Sequence, residues 1–304
     1  MTLAARVGGP RPTISFELFP PRSQAAAEAL GRTVSELAAT SPDFFSVTCR
    51  AGGATRAAAA GLLRHVRRST PVTAMAHLTC VGSSRAQVVA AGAEILESGI
   101  RDVLVLRGDP AGAPLGEPSD PVLRGCDLVE VLQVVERRRL ALRGGSRPVD
   151  EGPLSIAVPA FPSSRRPGDL AALRAKQEAG ARFAVAQVGY RAEEWTAFVD
   201  RARLAGVTIP VLPGITAVDD PARLLRLQQL TGVPAPAGLL ARLGDDPSPA
   251  RRRRLAVRVA AELARELLDA GAPGLHVYPS NSSATAVALV ERIRSGSARL
   301  AGVR

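Results

Sequence analysis

The chain has 304 residues, 46% hydrophobic and only 3% aromatic, with 39 basic and 28 acidic side chains and a formal charge of +11. That length and apolar fraction suit one large α/β domain whose core needs no metal or disulfide staple, and Cys49, Cys80 and Cys126 are odd in number without C-x-x-C spacing, as expected of reduced cytoplasmic thiols. No run approaches the length of a membrane span, residues 1–12 lack an apolar signal region, and scarce aromatics argue against a nucleic-acid stacking platform.

Residues 1–12 are expected as a flexible tail, with 13–304 forming a single domain. The first strand is expected at Thr13 to Leu18, followed by Phe19-Pro20-Pro21 and a helix over Ala25 to Ala39. Strand two is Phe44 to Thr48, then a Gly52-Gly53 turn and a helix to about Arg68. Strand three, Val72 to His77, leads to a helix opening near Ser83-Ser84, where serine supplies N-cap chemistry. Strand four, Asp102 to Leu106, ends in Arg107-Gly108-Asp109, and the Pro- and Gly-rich stretch 110–121 reads as a long loop.

A helix from about Asp127 to Leu142 precedes strand five, Leu154 to Val158, a loop over Pro159 to Gly168 and a helix from Asp169 to Ala179. Strand six, Arg182 to Ala186, ends at Gln187, and strand seven, Ile209 to Leu212, ends in Pro213-Gly214. Helical patterns over Ala222 to Leu230 and Arg251 to Leu268 lead to strand eight, Gly274 to Val277, and a last helix over Ala284 to Arg294. Eight strand-plus-helix units at a spacing of about thirty residues describe a (β/α)8 TIM barrel, whose site assembles at the strand C-terminal ends.

Phosphate-loop, dinucleotide-fingerprint and serine-elbow motifs are missing. His65 sits among arginines, and neither His77 nor His276 has a second metal ligand near it in sequence, so no metal is expected. The polar strand ends remain. Glu17 sits between Phe16 and Leu18, where desolvation would raise a carboxyl pKa and let it deliver a proton, unless it pairs with an arginine such as Arg22. Asp109 could pair with Arg107 or orient a heterocycle. The Gln187 amide can read donors and acceptors of a ligand or satisfy loop backbone. The runs Arg137 to Arg139 and Arg251 to Arg254 read as solvated helix faces, although a basic surface equally attracts a polyanionic small ligand.

The segment Ile14-Ser15-Phe16-Glu17-Leu18-Phe19-Pro20-Pro21-Arg22 resembles the opening motif of bacterial methylenetetrahydrofolate reductases. Further similar segments follow in the same order: Ser46-Val47-Thr48, Ala76-His77-Leu78-Thr79, Leu106 to Pro110, Ala179-Gly180-Ala181 with Gln187, Leu212 to Ile215, and Gly274-Leu275-His276. The resemblance implies a TIM-barrel flavoprotein in which reduced nicotinamide cofactor, NADH or NADPH, reduces FAD. The flavin then reduces 5,10-methylenetetrahydrofolate to 5-methyltetrahydrofolate in ping-pong fashion. It further implies Glu17 as general acid, Asp109 as the carboxylate beside flavin and pterin, and Gln187 as the amide positioning folate and nicotinamide. Thr48, Cys49, His77, Arg107, Gly108, Asp109, Gly125, Phe161, Asp169 and Lys176, the only lysine, would fall on the flavin. Arg223, Leu227 and Ser282 would fall on the folate side, with Arg223 suited to a glutamate tail, and association of identical chains is expected.

Departures from the family pattern are local. Cys49-Arg50 replaces a usual Tyr-Gly, Phe161 replaces a tyrosine, the loop from Pro162 to Gly168 is shortened, and Val188-Gly189 stands where two aromatics are usual. These departures leave two alternatives: a flavin-independent methylene-tetrahydropterin reductase, or a non-catalytic folate- or flavin-binding paralogue.

Overall fold

A computed structural model describes residues 2–49, 53–108, 124–148, 151–164, 166–279 and 283–301. Eight strands, β1 (Thr13–Leu18), β2 (Phe44–Val47), β3 (Thr73–Thr79), β4 (Asp102–Leu106), β5 (Ser155–Ala160), β6 (Phe183–Val188), β7 (Val211–Ile215) and β8 (Gly274–Val277), form one closed parallel barrel. Each strand pairs with its neighbours in sequence, and β8 closes on β1 with Ser15 opposite His276. The helices are α1 (Leu3–Val7), α2 (Gln24–Ala39), α3 (Gly53–Ser69), α4 (Arg85–Glu97), α5 (Gly125–Leu142), α6 (Asp169–Glu178), α7 (Ala192–Leu204), α8 (Pro221–Thr231), α9 (Ala237–Asp245), α10 (Pro249–Asp269) and α11 (Ser283–Ala301). The TIM barrel expected from the strand rhythm is therefore the fold. Among the described residues no helix is long and apolar enough to cross a membrane.

Strand alternation divides the core in two. On β1, Ile14, Phe16 and Leu18 pack outward under the helices, which turns Thr13, Ser15 and Glu17 toward the barrel interior. The interior itself is filled by Phe44, Met75, Leu104, Ala157, Phe183, Val185 and Leu212, with the Phe44 ring edge-on to Phe183. The polar inner face of β1 is continued around the barrel by Ser46, His77, Asp102, Ser155 and His276, which flank this apolar centre.

Several boundaries differ from the sequence reading. Strand seven does not stop at Pro213-Gly214 but runs through it to Ile215. The neighbouring β6 has an irregular register between Val185 and Val188, next to the proline that has no N–H to give the ladder. A Cβ on Gly214 would lie 2.4 Å from the Ala186 carbonyl and 2.7 Å from the Tyr278 ring, so only glycine lets the strands approach there. Helices α7 and α9 lie where no helix is read from the sequence.

The tail expected at 1–12 instead carries α1, capped by Thr2. Leu3 and Val7, one turn apart, are fully buried against Phe44, Met75 and Leu104 and close the N-terminal end of the barrel. Arg6 pins this plug by donating to the Asp43 carbonyl at 3.0 Å and the Thr73 hydroxyl at 2.6 Å. Two residues in a five-residue helix are a signal too short for periodicity to show. At the same end, Arg101 and Arg139 share Glu151, while Glu136 binds Arg139 at 2.8 Å and Arg147 at 3.2 Å.

Candidate active site

At the opposite end, the polar inner face of β1 meets β2, β3 and β8. The Thr48 hydroxyl lies between the Leu18 carbonyl at 3.0 Å and the Glu17 carboxyl at 3.4 Å, and that carboxyl faces Nε2 of His276 at 3.5 Å. Nδ1 of that imidazole lies 2.8 Å from Oγ of Ser15, which itself donates to the Leu275 carbonyl at 3.2 Å. With Nδ1 engaged by the Ser15 hydroxyl, Nε2 is the ring nitrogen that faces Glu17. Phe44 stacks on the His276 ring at 5.9 Å and Tyr278 meets it edge-on at 5.0 Å, fixing its plane. The Tyr278 hydroxyl is anchored on the Ala186 carbonyl at 3.1 Å.

The electrostatics correct one expectation. Burial pushes the Glu17 carboxyl up, as expected from its apolar neighbours, but the His276 hydrogen bond, the charges of His77 and His276 and the Thr48 hydroxyl outweigh it. The carboxyl is held below its ordinary value, so it is ionised at neutral pH and faces the ring nitrogen as an acceptor. Sequence hid this partner, because His276 lies 259 residues away and only closure of the barrel brings it alongside. Burial drives His77 down to about 4, against the pull of Glu17 and with the push of His276, so it is neutral at pH 7. Both ring nitrogens of His77 are buried without a hydrogen-bond partner. Burial, helped by Glu17, raises the Tyr278 phenol well above its ordinary value. Ser15, His276 and Tyr278 are the site residues that the sequence reading left unassigned. The histidines therefore do stand near a carboxylate, yet among the described residues no group of three or more His, Cys, Asp or Glu could hold a metal ion.

A second set gathers around the start of α5, reached by Lys176 from the last turn of α6. The Lys176 side chain lies across the beginning of α5, where a Cβ on Gly125 would come within 2.7 Å of Cε. Burial lowers the ammonium pKa, opposed by Asp169 at the start of α6 and by Cys126. A half-buried cation over a helix N-terminus is an anion-binding arrangement. Phe161, after β5, is 40% exposed and presents an aromatic face to solvent.

The remaining expected residues spread out. Arg107 is exposed beyond β4, its carbonyl accepting from Val81, and Gly108 turns the chain with φ of 89° close to Val81. Cys49 is half-buried beside Arg56, with burial pushing its thiol up. Gln187 donates to the Thr231 carbonyl at 3.0 Å, the backbone role weighed for it, and joins neither set. Arg223 lines a small cavity with Asp219, Tyr278 and Pro279, and Leu227 is half-buried on α8. Asp109 and Ser282 lie outside the described residues.

The fold is that of a (β/α)8-barrel protein, with carboxylate, imidazole and hydroxyl groups gathered at the strand C-terminal ends. The family profile described as methylenetetrahydrofolate reductase matches residues 3–294, and the chain belongs to that family. It is 28% identical over 285 residues to 5,10-methylenetetrahydrofolate reductase of Pectobacterium carotovorum subsp. carotovorum, covering 92% of this chain and 89% of that protein. It is also 28% identical over 291 residues to methylenetetrahydrofolate reductase 1 of Schizosaccharomyces pombe, covering 92% of this chain but 46% of the yeast protein. In fold it is similar to an uncharacterized protein from Clostridium thermocellum that binds two copies of 5-methyl-5,6,7,8-tetrahydrofolic acid, with a TM-score of 0.66, 12% identity and 96% coverage of both chains.

Proposed function

We propose that the protein reduces 5,10-methylenetetrahydrofolate to 5-methyltetrahydrofolate with NADH or NADPH as reductant and FAD as resident cofactor. The observation that carries the reading is the Glu17–His276 pair, a buried carboxyl and imidazole 3.5 Å apart at the mouth of a barrel of this family. Opening the imidazolidine ring of the substrate requires a proton on its leaving nitrogen. Glu17 is placed to deliver it, with His276 facing one carboxyl oxygen and Ser15 anchoring the imidazole. The Thr48 hydroxyl, shared with the Leu18 carbonyl, faces the other carboxyl oxygen.

The residues present fit FAD. The unpartnered nitrogens of His77 offer hydrogen bonds to a polar heterocycle, the Lys176 cation at the α5 start suits a pyrophosphate, and the exposed Phe161 ring suits stacking. Bound FAD supplies the capacity to take up and give back a hydride, which no side chain provides.

The test is a visible absorption spectrum of the purified protein before and after anaerobic NADH, followed by methylenetetrahydrofolate. Flavin bands that bleach and then recover are expected. A protein that stays colourless after FAD is supplied would overturn the flavin reading and favour direct hydride transfer from nicotinamide. Bleaching without recovery would overturn the folate reading.

A further inference from the structure

The core beneath the helices falls into two parts. One holds Val47, Ala59, Leu63 and Ala76, the other Leu78 and Ala91, and Ile95 of α4 packs against both. Where the two parts separate, α3 and α4 each rest on β3 but scarcely meet each other, and they leave a cavity of about 280 Å³. Its walls are small or aliphatic: Ala59, Ala60 and Leu63 of α3, Ala91 and Ile95 of α4, and Ala76 of β3. Protein interiors keep few voids larger than a water molecule, and apolar walls offer water no hydrogen-bond partners. Space on this scale, walled largely by alanines, is sized for an apolar guest.

Charge is distributed unevenly along it. Both helices run against the strands, so their first turns share the strand C-terminal end of the barrel. Arg56, half-buried in the first turn of α3, lines the cavity there beside Cys49, and among the described residues it is in no ion pair. At the far end Arg67 donates to the Ser98 carbonyl and ties α3 to the cap of α4. Glu94, the one acid among the described residues lining the cavity, also stands at that far end, in the last turn of α4. The cavity is distinct from the active site, although one strand serves both. Ala76 and Leu78 turn out toward the helices, and His77 between them turns into the barrel.

The geometry points to this cavity as a second binding site, for an unbranched aliphatic carboxylate. Arg56 takes the carboxylate, and the chain runs down between α3 and α4 toward Ile100. An apolar cavity of about 150 Å³ holds a six-carbon ring, which in proportion gives a chain of about ten carbons here. A guanidinium fork grips a carboxylate with two hydrogen bonds, and the positive end of the α3 dipole lies on the same side. The inference goes beyond the folate reading and does not depend on it, since binding needs no turnover. An occupant would rest against the strand that carries His77.

The experiment is isothermal titration calorimetry of decanoate, below its micellar concentration, into the full-length protein. One decanoate per chain is expected, with affinity falling about fourfold for each methylene removed through octanoate to hexanoate. Decanoate should bind at least tenfold more tightly than decanol, and Arg56→Gln should erase that preference while leaving decanol binding unchanged. Ala60→Phe fills the cavity and should weaken decanoate binding at least tenfold, with the melting temperature held or raised. Ala91→Leu, a smaller filler from the other helix, should show an intermediate loss and guards against a local distortion of α3. No binding, uptake that never saturates, affinity indifferent to chain length, or full binding by both filled variants would overturn the proposal. So would a concentration-dependent dimer that Ala60→Phe dissociates, which would assign the cavity to a side chain of a second copy.

Discussion

The two ends of the barrel solve the same physical problem differently. Each buries ionisable groups among apolar side chains, and each leaves a polar atom without a partner: Oδ1 of Asp102 at the α1 end and both ring nitrogens of His77 at the site end. At the first, burial raises Asp102 to about 6 from 3.8, against the pull of Ser155, Arg6 and the Leu3 amide, and α1 seals it in. At the second, burial depresses His77 from 6.5 to about 4. The signs are opposite. The Asp102 contribution to stability is fully present below its ordinary pKa and is lost as pH rises through about 6. The contribution of His77 is present above its ordinary pKa and lost as pH falls through about 4. Unsatisfied polarity under a plug is only a cost, whereas at an open rim a ligand can satisfy it.

Substitutions at either end sharpen this contrast. Glu17→Gln should lower kcat by about 10²–10⁴, the range for losing a general acid, while the melting temperature stays near wild type. A loss below tenfold would move the chemistry away from this carboxyl. At the far end, Glu136→Ala leaves buried Arg139 with only the Glu151 carboxylate it shares with Arg101 and should destabilise by about 1.5–3 kcal/mol in urea unfolding, with activity per folded molecule retained. Asp102→Asn should stabilise by roughly 2–3 kcal/mol at pH 8 and lose that advantage below about pH 4, because about two pKa units separate its folded and ordinary values. Unfolding curves at those two pH values check it, and a pH-independent gain would break the argument. Ser84→Ala removes one half of the capping box of α4 and should cost about 1 kcal/mol without changing turnover.

The strands were the most legible part of the sequence. The bounds of β1, β4 and β8 agree with the expected ones, whereas β3, β5, β6 and β7 run two or three residues further. Parallel strands buried on both faces present continuous apolar runs, so their ends are set by neighbours rather than by pattern. Pro213-Gly214 reads as a turn in isolation and becomes strand only because β6 changes register beside it. Glu17, Thr48 and His77 were legible as polar ends of apolar runs and do come together. The sign of the Glu17 shift was not legible, since it depends on a histidine from the last strand. Nor does the run Arg251 to Arg254 announce that Arg242 and Arg292 converge on it.

The pairing of β1 with β8 has a kinetic consequence. The Ser15–His276–Glu17 contacts span about 260 positions, among the longest-range contacts the chain can make. Loop-closure entropy opposes such contacts until intervening segments are ordered, so they are expected to form late in folding. An intermediate with most of its helices in place would still lack a working acid. Recovery of activity during refolding should therefore lag the return of helical signal, and catalysis would time the closing of the ring.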